Sequence, residues 1–207
     1  MKWYARTWAC LAFLLAVGLG LLAAGRGRGD PSDDDAKKAA AIAAGPDVLK
    51  LADALNGDTA AAKKQADVVA ALDLGAVMGQ LGLRERGGQG VGPKPGAIKP
   101  DSIDLKINGL GDSTKPLKEK QLTAEKADLQ RALEIARAVA EVTPRYAAKY
   151  AKNPAEEKLW AKYSEEMKKT TQEMLDALKE GDPKKVQRAA GNVSGNCFDC
   201  HTKFRKD

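Results

Sequence analysis

The chain has one histidine, three cysteines, four methionines and few aromatic residues, 5% in all. One histidine excludes any site that needs two imidazoles. One of the cysteines, Cys10, lies in an N-terminal apolar run, so the remaining thiols and the lone imidazole leave a zinc ion short of its usual four ligands. Aromatics are few and Ala, Leu, Lys and Glu are abundant, which favours helices. The many glycines contain no G-x-x-x-x-G-K-[ST] order and follow no strand, so they are not a phosphate loop. No acid–base pair or nucleophile constellation stands out, and the expectation is a protein that is not an enzyme. The formal charge is +6, of which Lys2 and Arg6 belong to the first 25 residues, leaving +4 for the rest. The basic residues alternate with acids along helical stretches and read as solvated faces, which argues against a nucleic-acid partner.

The N-terminus reads as a secretory signal over 1–25. Lys2 and Arg6 precede an apolar run from Ala9 to Ala24, and Ala23-Ala24-Gly25 supplies small residues for cleavage. The expected location is the periplasm, with membrane association only if that segment stays uncleaved. Residues 26–57 read as a polar lead and a short helical extension: an Ala/Lys stretch over 36–44 with little to bury, then a helix from Asp47 to Leu55 ended by Asn56-Gly57.

The remainder, 58–207, reads as one helical domain. Asp58 or Thr59 caps a helix with Ala62, Ala66, Val69 and Leu72 on one face, and a weaker helical segment continues through Met78 to Leu83. Residues 87–117, rich in glycine and proline, read as a long connection with a helical turn within 102–110. Lys94 and Lys99 of this connection are either solvated or placed to reach the propionate of a porphyrin. Three helices follow. The first starts at Thr123 and runs along Leu129, Leu133, Ala136, Ala140, Thr143, Ala147 and Tyr150, with a break expected at Pro144. The second begins at Asn153-Pro154, carries Trp160, Tyr163, Met167, Met174 and Leu178, and stops at Gly181. The third is capped by Asp182. The fold class is therefore all-α: an antiparallel four-helix bundle with 58–83 as its first member, a long Gly/Pro-rich loop between the first and second main helices, and an N-terminal helical extension.

The last helix carries the chemistry. Val186, Ala190, Val193, Cys197, Cys200 and Phe204 recur at steps of three and four and form one buried stripe. Cys197-Phe198-Asp199-Cys200-His201 is a C-x-x-C-H sequence, the attachment signature of c-type haem. On a helix, Cys200 lies ~60° to one side of Cys197 and His201 ~40° to the other, so two thiols and an imidazole address one porphyrin. A thioredoxin-like reading needs a βαβ context that is missing. A Cys197–Cys200 disulfide in a haem-free helical interaction module leaves His201 unexplained. Gly191 and Gly195 would leave room beside the stripe for a bulky planar group. A second histidine ligand is excluded by count, and among the methionines Met78 is the candidate for the sixth position on iron, the alternative being an open site.

A C-x-x-C-H near the C-terminus, on the last of four helices, resembles the class II cytochromes c, cytochrome c′ and its low-spin c556-like relatives. The resemblance is best over 118–207 and looser over 58–117. It implies one covalent haem c with its iron, thioether bonds at Cys197 and Cys200, and His201 as axial ligand. It places Arg205, four residues after His201 in a Cys-x-x-Cys-His-x-x-Phe-Arg ending, on the proximal side of the haem, and it puts a methionine ligand, here Met78, on the first-helix segment. The function it implies is one-electron transfer with exported redox partner proteins, the alternative being the binding of nitric oxide or carbon monoxide at an open iron. Homodimers are common in that family.

Overall fold

Helix starts in this chain are fixed by side chains that accept from free backbone N–H groups. The computed structural model describes residues 32–205; the stretch 1–25, expected to be a secretory signal, lies outside the described residues. Eight α-helices are present among them: α1 (Asp33–Ala54), α2 (Thr59–Ala70), α3 (Leu74–Met78), α4 (Ile103–Gly111), α5 (Glu119–Val142), α6 (Ala147–Tyr150), α7 (Pro154–Glu180) and α8 (Pro183–Phe204). Asp58 accepts from the N–H groups of Ala60 and Ala61, Asn153 from that of Glu156, and Asp182 from those of Lys184 and Lys185. Each cap answers donors that the first turn leaves without a helical partner. Gly181 ends α7 at a φ of 77°, a left-handed conformation that costs a glycine little.

The four-helix bundle consists of α4, α5, α7 and α8. Helix α8 packs against α4 on one side and α7 on the other, α7 packs against α5, and α5 touches α4. The sequence expectation that 58–83 forms the first bundle helix is corrected here. That stretch is divided into α2, α3 and a short 3-10 turn, and α2 and α3 pack on α1. The first bundle helix is α4, nine residues long, inside the stretch read as loop. The Gly/Pro-rich connection therefore precedes the first bundle helix, and only residues 112–118 join α4 to α5.

Helix α1 also departs from expectation. It runs unbroken through Gly45-Pro46, although an interior proline costs a helix about 3 kcal/mol. Burial on both sides of the proline offsets that cost. Ala41, Ala44, Val48, Leu51 and Ala52 are all buried, and Val48, Leu51 and Ala52 belong to the same core as α2 and α5. Gly45 allows a close approach: a Cβ there would stand 2.7 Å from Gln89 Nε2 and 3.2 Å from Gln80 Oε1. Buried Gln80 donates to the Ala41 and Ala76 carbonyls and accepts from Gln89, tying α1, α3 and the connection together.

The connection itself is ordered around Asp101. Its carboxylate accepts from Arg84 Nε and from the backbone N–H groups of Val91 and Gly96. Burial opposes this charge, but the two N–H groups and the guanidinium outweigh it and hold the carboxyl below its ordinary range. Further along, α5 begins at Glu119, earlier than Thr123, because Leu122 is drawn into the core. It ends at Val142, and Pro144 lies in a 3-10 turn, Thr143–Tyr146, where a break is expected.

Candidate haem-attachment site

Burial along α8 falls off where the motif begins. Val186, Ala190 and Val193 are buried, as is Ala189, whereas Cys197, Cys200 and Phe204 on the same stripe are half-buried. Cys197 and Phe204 still pack against the core. Both cysteines are free thiols on one unbroken helix. His201 and Arg205 are exposed, and Phe198, between the two cysteines, is 70% exposed.

One wall of the site is aromatic. The Phe204 ring meets Trp160 edge-on, with centroids 4.9 Å apart, and Tyr163 at 6.3 Å. Trp160 stacks on Tyr150 at 5.6 Å and donates its indole N–H to the Thr143 carbonyl. Pairs of this kind add roughly 0.5–1.5 kcal/mol each beyond the area they bury. The sequence marks Trp160 and Tyr163 as one helical face but does not show that they meet the turn after His201.

The other wall is α4, which runs antiparallel to α8. Ser194 Oγ donates to Asn108 Oδ1, and Gln187 Nε2 donates to the carbonyls of Asp112 and Lys115. A Cβ on Gly111 would stand 2.8 Å from both Cα and N of Gly191, so the two backbones meet there. This corrects one expectation. The room at Gly191 is taken by helix α4, while the space beside Gly195 is open. The same register sets Asp104, at the start of α4, level with the motif.

Burial pushes the Cys197 thiol up to about 11, with Cys200 and Asp104 adding to the rise, and burial raises Cys200 as well. Both are neutral thiols at neutral pH. For His201, burial and then the charge of Arg205 lower the pKa, while Asp104 works against them. The net effect keeps a neutral ring nitrogen available, the form in which imidazole binds iron.

Met78 ends α3 and is half-buried against the core. It lies five residues before Leu83, which forms an isolated bridge with Ser102 at the start of α4. Its segment is thus tied to the end of α4 that lies beside the motif. Lys94 and Lys99 are exposed on the connection, and no contact brings them to Cys197, Cys200 or His201.

Two neutral thiols and a neutral imidazole on the inner edge of a bundle helix, between an aromatic wall and a close-packed neighbour, define a c-type haem protein of the helical-bundle class. The family model described as Cytochrome C' matches residues 108–205, from within α4 to the end of α8. Over that segment the chain is similar to the cytochrome c′ family, which carries haem c with iron. Comparisons with curated proteins and with solved structures give no match. Helices α1 to α3 lie outside the matched segment.

Proposed function

We propose that the protein transfers single electrons between exported redox partners through one covalent haem c. The group supplies a one-electron iron couple when bound. The chain supplies the rest. Cys197 and Cys200 hold the porphyrin by thioether bonds and His201 is the axial iron ligand; Met78, on α3 outside the bundle but tied to the start of α4 through the Leu83–Ser102 bridge, is the candidate sixth ligand, and Trp160, Tyr163 and Phe204 exclude water on one side. Arg205 adds a positive charge beside His201. The observation that carries the reading is the exposure of the motif. Cys197 packs against the core while Phe198 on the same turn is 70% exposed and His201, at the edge of α8, keeps solvent access, which puts a redox centre held there within reach of a docking protein. The net charge favours acidic partners.

Export rests on Lys2, Arg6 and the apolar run that follows, together with the chemistry of haem attachment, which takes place outside the cytoplasm. Among the described residues no helix is long and apolar enough to cross a membrane.

Absorption spectra of the purified protein, oxidised and reduced, with and without carbon monoxide, test the proposal. A low-spin spectrum indifferent to the gas is expected, and Met78→Ala should convert it to a high-spin, gas-sensitive one. A wild-type spectrum that is already high-spin and shifts with carbon monoxide would overturn the Met78 assignment and favour the binding of a diatomic gas.

A further inference from the structure

Asp104 is the carboxylate that α4 brings to the haem-attachment turn. The Asn108–Ser194 hydrogen bond and the Gly111–Gly191 backbone contact fix an antiparallel register. Continued toward the N-terminus of α4, that register sets Asp104 between the levels of Cys197 and His201. Asp104, Asn108 and Gly111, four and three residues apart, share the face of α4 that meets α8, and His201, seven residues after Ser194, shares the facing side of α8. Its orientation is held from the other side: Oδ1 takes the Ser102 hydroxyl and the backbone N–H of Leu105. The carboxylate therefore has one oxygen fixed within its own turn and the other available to a neighbour.

A histidine bound to a metal through one ring nitrogen nearly always donates its other N–H to a carboxylate, a carbonyl or water, and this partner sets the ring's orientation and basicity. His201 lies in the last turn of α8, where the facing element is the start of α4. We propose that Asp104 is the positioning residue for the axial ligand, accepting the ring N–H of His201 that is not on iron. The proposal deepens the haem reading above and rests on it. By giving the imidazole more anionic character, Asp104 favours ferric over ferrous iron and lowers the reduction potential. Arg205 pulls the other way, so the potential reflects a carboxylate and a guanidinium acting on one ring.

The test uses the full haem-loaded chain. His201 is the only histidine, so selective 15N-histidine labelling reports on that ring alone. The expected wild-type result is a downfield ring N–H in slow exchange with water. Asp104→Asn keeps an oxygen for the Leu105 N–H and removes the charge, so the helix start survives. In that variant the ring N–H should move upfield and exchange about tenfold faster, as expected when a charged hydrogen bond worth roughly 1.5 kcal/mol is lost. The midpoint potential should also rise, and Asp104→Glu should restore part of both effects. A covalently loaded Asp104→Asn protein with unchanged N–H shift and exchange would overturn the proposal and leave the haem reading standing, even if the potential moved, since removing a nearby charge does that by itself. Wild-type protein that retains no haem after denaturation would overturn the haem reading and this proposal together.

Discussion

Gly111 and Gly191 meet backbone to backbone, and the contact is asymmetric. A Cβ on Gly111 would stand 2.8 Å from Cα and N of Gly191, whereas a Cβ on Gly191 would find only the Gly111 carbonyl oxygen, at 3.7 Å. The first is a clash with backbone that has no rotamer to change. The second is an ordinary van der Waals contact.

Opposite outcomes are therefore expected for the same substitution at the two positions. Gly111→Ala should separate α4 from α8 and destabilise the fold by about 1–3 kcal/mol. Gly191→Ala should be neutral or stabilising by up to about 1 kcal/mol, since alanine suits a helix interior better than glycine. Urea denaturation of the two variants checks the pair, and equal losses would refute the asymmetry.

Tyr146 gives the fold an alkaline limit. Its hydroxyl lies against the carbonyls of Val69 and Leu72, and burial, with Asp73 and Tyr150 adding, pushes its pKa up to about 12. A folded pKa above the ordinary value of about 10 means that the contribution is whole below pH 10 and is lost as pH rises toward 12. Tyr146→Phe should cost about 1–2 kcal/mol at neutral pH, and the gap to wild type should narrow above pH 10. Denaturation curves at pH 7 and pH 11 measure both effects.

Lys106 and Glu125 form an ion pair at 2.7 Å between α4 and α5, with side chains 6% and 21% exposed. Lys106→Met strands the carboxylate and should cost about 3–5 kcal/mol. The double variant Lys106→Met, Glu125→Leu should recover most of that loss, because well-packed apolar side chains often replace a buried pair without penalty. A double variant no more stable than the single one would show that the pair has a role beyond its own charges.

Replacing both Cys197 and Cys200 by serine should abolish haem that survives denaturation, as read by a haem stain on a denaturing gel. The helical content should be retained, since both positions are only half-buried. Covalent haem persisting in that variant would refute the attachment site.

The features legible in the sequence are those with local causes. Asn153-Pro154 and Gly181-Asp182 mark helix ends because a side-chain cap, a proline at the first position and a left-handed glycine act within a few residues. The stripe on α8 and the C-x-x-C-H motif on it are equally local. Helix α4 reads in the sequence only as a helical turn within 102–110, because it is short and begins amid glycine and proline; its partner is α8, some eighty residues away, and the contact that seats it needs a glycine, which propensity counts against a helix. The continuity of α1 through Pro46 was hidden for the same kind of reason, since the burial that favours it comes from α2, α3 and α5. Asp104 carries no local signal at all. An aspartate at the start of a helix reads as a capping residue, and only the α4–α8 register shows what it faces.

The connection before α4 gathers on a single carboxylate. Arg84, Val91 and Gly96 all reach Asp101, while Val91 and Ile98 sink into the core and Gln89 bonds to Gln80. Asp101 is the point where the charge and the backbone of this loop meet. While Asp101 holds, the glycine-rich chain lies folded against the molecule; once that carboxylate is lost, the stretch between the buried Val91 and Ile98 is the part set free, and exposed glycine- and proline-containing peptide of that kind is what a protease cuts.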